Sequence, residues 1–155
     1  MGLTLGYDRM RNVLFAILAC ATAVVSAFEF SRNGIAACQL ATADNPSRLE
    51  QQAVNDLKEF LEKMTGVSFS VCEESKIKPG DTATVYVGQT DFAAVHGINF
   101  SLLAEEQWII KTVGKSLIVS GGRPVGTFYG VWNLLNRLGC YALAMDQYAI
   151  PNAPS

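Results

Sequence analysis

Two apolar stretches, Trp108 to Val113 and Leu117 to Val119, are separated by only a short connection through Gly114-Lys115. A link this short joins neighbouring strands only as a hairpin, so part of any sheet is antiparallel. Elsewhere apolar strands alternate with long helical patterns, and a strand followed by a helix returns to its sheet by a crossover. Hairpin and crossovers together predict a mixed sheet and exclude a purely parallel one.

The helical patterns decide how that sheet is covered. Ile35 to Leu40 reads as a first strand, and the polar run Thr42 to Ser47 then announces a helix. Either Asn45 caps it with Pro46 at the first helical position, or Ser47 caps it with Glu50 closing a capping box. Leu49, Ala53, Leu57, Phe60, Leu61 and Met64 follow at spacings of 4, 4, 3, 1 and 3, a single apolar face ending at Thr65-Gly66. Val67, Phe69 and Val71 alternate with polar residues as a strand. Lys78-Pro79-Gly80-Asp81 turns the chain into a second alternation at Ala83, Val85 and Val87. A short helical turn spans Asp91 to His96. After the hairpin, Gly121-Gly122 opens a second long helix carrying Phe128, Val131, Trp132, Leu135 and Leu138, closed by Gly139. Cys140 to Leu143 reads as a last short strand. Each long helix has one apolar stripe, so each covers a sheet from one side, and an α+β two-layer sandwich is expected.

The 155 residues are 50% hydrophobic and 17% charged, with a formal charge of -2. That balance excludes a disordered chain, and it also lacks the broad positive field that binding a nucleic-acid backbone requires. Arg9 and Arg11 precede an apolar run from Val13 to Val25, and Val25-Ser26-Ala27 offers small residues to a signal peptidase. Residues 1–27 therefore read as a signal peptide cleaved near Ala27. The run is shorter than a membrane span, so no membrane association is expected after cleavage. Lipoprotein processing at Cys20 fits less well, because residues 21–27 continue apolar. Export predicts an oxidising compartment, secreted or periplasmic. Cys38, Cys72 and Cys140 stand 34 and 68 residues apart, which leaves at most one disulfide, its pairing open, and matches no paired metal-ligand spacing. Asn99-Phe100-Ser101 is a formal glycosylation sequon.

Candidate chemistry is sparse. Gly121-Gly122-Arg123-Pro124-Val125-Gly126 lies between a strand and a helix, where free backbone N–H groups can face an anion. It lacks both the phosphate-loop ending and the dinucleotide spacing, so a tight reversal is the simpler reading. His96 is the only histidine and has no partner in sequence for a catalytic dyad. Glu73-Glu74 and Glu105-Glu106 are adjacent pairs near strand ends, where neighbours point to opposite faces, and they read as solvated rims. No Gly-x-Ser-x-Gly elbow occurs. Tyr129 and Trp132, three apart on the last helix, belong to a core or form a platform for sugar stacking. Neither a cofactor nor a metal is implied.

The run from Gln107 to Trp132, continued by Leu134-Leu135 and Leu138-Gly139-Cys140, resembles the amino-terminal domain of alpha-glucuronidase-like glycoside hydrolases. The counterpart of that domain precedes the catalytic barrel in beta-N-acetylhexosaminidases. Lys63-Met64-Thr65-Gly66 and Val85-Tyr86-Val87-Gly88-Gln89-Thr90 stand in the expected order, so the resemblance covers about residues 35 to 145. Departures fall at Val125, where relatives often place arginine, and at Tyr141-Ala142-Leu143. The resemblance implies a beta-N-acetylhexosaminidase-like domain over residues 28–150, a mixed sheet with two main helices on one face. Residues 151–155 would begin a further domain or tail. It also implies that glycoside hydrolysis belongs to a following (β/α)8 barrel, which needs roughly 200 residues or more. The expected function is thus a non-catalytic domain in polysaccharide metabolism that scaffolds a barrel in cis. Arg123, Tyr129 and Trp132 are its candidate ligand or interdomain contacts. The alternative is a free-standing secreted glycan-binding module using exposed aromatics such as Tyr86, Trp108 or Tyr141.

Overall fold

The first apolar run does not form one strand. Asn33 and Gly34 both take positive φ, 52° and 74°, the turn that reverses a two-residue hairpin. β1 (Ser31–Arg32) and β2 (Ile35–Ala36) pair across it, and the central strand β3 (Cys38–Thr42) starts three residues later than the apolar run suggests. The computed structural model describes residues 28–78, 82–144 and 147–152. The leader with Arg9, Arg11 and Cys20, the cleavage position at Ala27, most of the 78–81 turn and residues 153–155 lie outside the described residues.

Helix α1 (Arg48–Thr65) begins at Ser47, not Asn45. Ser47 Oγ accepts from the Glu50 N–H at 3.2 Å, and Glu50 Oε2 accepts from the Ser47 N–H at 2.9 Å, a closed capping box. Gly66 ends the helix with φ 70°. The buried stripe contains Ala53, Leu57, Phe60, Leu61 and Met64 as the periodicity predicts, with Val54 added and Leu49 at its margin. β4 (Val71–Glu73) is shorter than the alternation from Val67 implies. Phe69 is buried, but its N–H donates to Glu62 Oε1 of α1 at 3.0 Å, and bonding to β3 begins only at the Ser70 carbonyl, which accepts from the Leu40 N–H at 2.9 Å.

β5 (Ala83–Val87), the short helix α2 (Asp91–Val95), β6 (Trp108–Val113), β7 (Ser116–Gly121) and helix α3 (Pro124–Arg137) follow. The main sheet has the order β4-β3-β5-β7-β6, parallel throughout except for the antiparallel edge strand β6. Leu40 lies beside Val71 and Val85, Val85 beside Leu117, and Val119 beside Ile110. β8 (Tyr141–Ala144) pairs only with β9 (Gln147–Ala149), a separate antiparallel pair.

α1 and α3 lie against each other and over one face of the sheet, and their shared core includes Leu40, Leu57, Leu61, Val85, Val119, Val131 and Leu135. The molecule is an α+β fold with a mixed sheet. The buried side of α3 is rotated from the predicted stripe. Gly126, Thr127, Gly130, Val131, Leu134 and Leu135 are buried, whereas Phe128, Trp132 and Leu138 are only partly so. Small residues are the reason: a Cβ on Gly130 would stand 3.1 Å from Trp108 Cβ and 3.3 Å from Val119 Cγ1. A smaller cluster of Ala93, Ile98 and Ile118, flanked by Phe92 and Ile109, covers part of the opposite face.

All three described cysteines are free thiols. Cys38 and Cys140 are buried, and burial alone pushes the Cys38 thiol up to about 12, so it stays protonated at ordinary pH. Cys140 Sγ lies 3.4 Å from Met64 Sδ inside the core.

Candidate functional site

Open parallel sheets bind ligands at the carboxyl ends of strands whose connections leave in opposite directions. Here that point lies between β3, which leads through α1 to β4, and β5, which leads through α2 to the β6–β7 hairpin on the other side. The chain's own carboxylates fill it. Glu50 is buried and, besides the capping box, accepts from the Gln89 N–H at 3.3 Å. Gly88, at φ 98°, lets that carboxylate approach so closely that an added Cβ would lie 2.8 Å from Glu50 Oε1. Glu74 accepts from the N–H groups of Asp91 and Phe92 at 2.8 and 3.1 Å, and Asp44 accepts from the Ser75 N–H at 3.1 Å. Glu73 pairs with Lys76. Glu74 is thus tied to backbone N–H groups, whereas Glu73, paired with an exposed lysine, lies on the solvated rim as expected. Glu105 and Glu106 are exposed as expected.

The loop from Gly121 to Gly126 is equally occupied. The Gly121 N–H donates to Thr127 Oγ1 at 3.1 Å and the Gly122 N–H to the Gln107 carbonyl at 3.0 Å. A Cβ on Gly121 would sit 2.2 Å from the Thr127 nitrogen, and one on Gly122 would sit 2.4 Å from the Ala104 carbonyl. The glycines serve close backbone packing. His96 caps α2, with Nδ1 2.8 Å from the Phe92 carbonyl and its ring tilted over Phe92.

An open groove of about 780 Å3 runs along the outer side of α1 and α3. One turn of α1 after another contributes Gln52, Asp56, Glu59 and Lys63, which share one helix face by their spacing. α3 contributes Phe128, Tyr129 and Trp132, and the β8–β9 hairpin contributes Tyr148. Phe60 forms the buried base. Its ring meets Trp132 and Tyr148 edge-on at centroid distances of 5.2 and 5.1 Å, and Trp132 stacks on Tyr148 at 5.6 Å. Asp56 accepts hydrogen bonds from Gln52 and from the Trp132 side chain. Burial nevertheless holds its carboxyl above the usual range, with a smaller push from Glu59. Glu59 is paired with Lys63.

Of the three residues singled out in the sequence, Tyr129 and Trp132 meet in this groove, while Arg123 stands apart, exposed at the start of α3 without a side-chain cap. Tyr86 is not an exposed aromatic: it is 7% accessible and stacks on Phe92 at 4.0 Å, because its strand position faces the smaller cluster. Trp108 and Tyr141 are exposed. Sequence reasoning missed Asp56, Phe60 and Tyr148 as groove residues. The polar stripe at 52, 56, 59 and 63 was the available signal, but its pairing with α3 and Tyr148 required the tertiary structure.

No family model matches the chain, and no curated protein matches it. Among solved structures it is similar to a GH138 enzyme described as targeting pectin rhamnogalacturonan II. The two are 19% identical over 72% of this chain and 11% of that one, with a TM-score of 0.45. It is also similar to a family GH115 4-O-methyl-alpha-glucuronidase described as having specificity for decorated arabinogalactans. Here identity is 21% over 65% of this chain and 13% of that one, with a TM-score of 0.48. Both neighbours are glycoside hydrolases, and this chain spans 11% and 13% of their lengths.

Proposed function

We propose that this chain is a non-catalytic accessory domain of an exported glycoside-hydrolase-like protein, acting in polysaccharide metabolism by supporting a (β/α)8 barrel in cis. One observation carries the reading: Glu50 and Glu74 fill the crevice at the strand carboxyl ends as internal hydrogen-bond acceptors. Glycoside hydrolysis needs two carboxyl groups facing a scissile bond across an open cleft, roughly 5–10 Å apart. Glu50 and Glu74 are instead directed at the chain's own backbone N–H groups, an architectural role. The ordered motifs from Lys63 to Cys140 support the same reading through the resemblance they carry. Arg123, exposed at the start of α3 and outside the groove, is the proposed interdomain contact.

Two measurements test this. Purified full chain, incubated with aryl glycosides and aldobiouronic substrates, is expected to release no product, and turnover free of contaminating enzyme would overturn the proposal. Sequencing the gene region beyond the Ser155 codon is expected to reveal a frame encoding a barrel with paired acidic residues. Finding no such frame would count equally against it.

A further inference from the structure

We infer that the groove between α1 and α3 is a binding site for uncharged, hydroxyl-rich sugar chains, with Trp132, Tyr148 and Tyr129 as the apolar platform and Asp56 and Glu59 accepting ligand hydroxyls through the lone pairs left beside Gln52, Trp132 and Lys63. A pyranose ring has one C–H face and an edge of hydroxyl groups, so it requires aromatic surface on one side and hydrogen-bonding side chains on the other. The groove has that division. Tyr129 and Tyr148 are each 41% accessible, and the opposite wall is the polar stripe of α1. Gln52 to Lys63 covers about 16 Å along the helix axis at 1.5 Å per residue, room for several sugar rings.

The polar groups also select the ligand. The carboxylates of Asp56 and Glu59 accept hydrogen bonds and cannot donate them when ionised, which suits hydroxyl donors. A proline-rich peptide, the other common guest of aromatic grooves, offers carbonyl acceptors and few N–H donors. The Trp132 side chain, the donor such a peptide would use, is already directed to Asp56. Uronate chains are disfavoured as well: the wall carries two carboxylates, and its one lysine is paired with Glu59.

This inference stands on the groove and not on the accessory-domain reading; either can fail while the other survives. The test is calorimetric titration of the full chain with xylohexaose, triacetylchitotriose, trigalacturonate and a proline-rich peptide at millimolar concentrations. At least one neutral oligosaccharide is expected to bind, and trigalacturonate and the peptide are not. Tyr129→Ala and Tyr148→Ala should each weaken binding roughly threefold to tenfold, the range of one aromatic contact. Leu102→Ala, at an exposed position outside the groove lining, should leave it unchanged. Circular dichroism checks that each variant is folded. If a variant unfolds, Tyr129→Phe and Glu59→Gln replace it, the second expected to weaken binding. No heat with either neutral oligosaccharide, tighter binding of trigalacturonate or the peptide, or affinity unmoved by both tyrosine variants would overturn the inference.

Discussion

The two long helices start in opposite ways. α1 begins with side-chain chemistry: Ser47 and Glu50 satisfy each other's backbone N–H groups, and Glu50 reaches on to Gln89. α3 begins with no side-chain cap at all. Pro124 stands in its first turn, where a missing N–H costs nothing, and three glycines let the preceding strand and the 103–107 backbone close around it. One start depends on functional groups, with a single close approach at Gly88. The other depends on the absence of Cβ atoms and is indifferent to the chemistry of its cap residue.

Substitutions separate the two. Gly121→Ala should have the largest effect, because its Cβ meets main-chain atoms of Gly126 and Thr127 at 2.3 and 2.2 Å, which cannot swing aside. A loss above about 4 kcal/mol is expected, seen as a missing cooperative urea transition. Glu50→Ala should follow at about 2 kcal/mol, since it removes the acceptor of the partly buried Ser47 and Gln89 N–H bonds, with the urea midpoint as readout. Ser47→Ala should cost about 1 kcal/mol. Arg123→Ala, the equivalent position of α3, should stay within about 0.5 kcal/mol. Equal losses at the two cap positions would erase the contrast.

The smallest effect lies on the flanks, where α1 alone lends carboxylates to the groove. Because burial raises the Asp56 carboxyl in the folded chain, the protonated form favours folding. Its contribution is complete below the unfolded value and is lost as pH rises through the folded one. Asp56→Asn should therefore show a slightly higher urea midpoint than the parent at neutral pH, with the gap closing as pH falls through the carboxylate range. A gap that widens on acidification would contradict the sign.

The same contrast explains what could be read without coordinates. α1 was legible to the residue within two alternatives, because capping boxes and apolar spacing are written in residue type. The β6–β7 hairpin was legible from its short connection. The buried side of α3 was not, since Gly126, Thr127 and Gly130 carry little hydrophobic signal and are selected by close approach. Phe69 looked like part of a strand because burial and alternation matched, yet its N–H pairs with Glu62. At the candidate site, Tyr129 and Trp132 could be picked out by type and spacing. Tyr148 and Asp56 joined them only through the packing of three separate elements, which no local pattern encodes.

The placement of β3 also sets an order of assembly. It is made before either neighbour: β4 ends at Glu73, and β5 ends only at Val87. A ribosome delivering the chain from its amino end leaves the edge that β5 will cover bare for some 45 residues, a window of roughly 2–9 s at ordinary elongation rates. During that interval Cys38 to Thr42 is a sticky template for any passing strand.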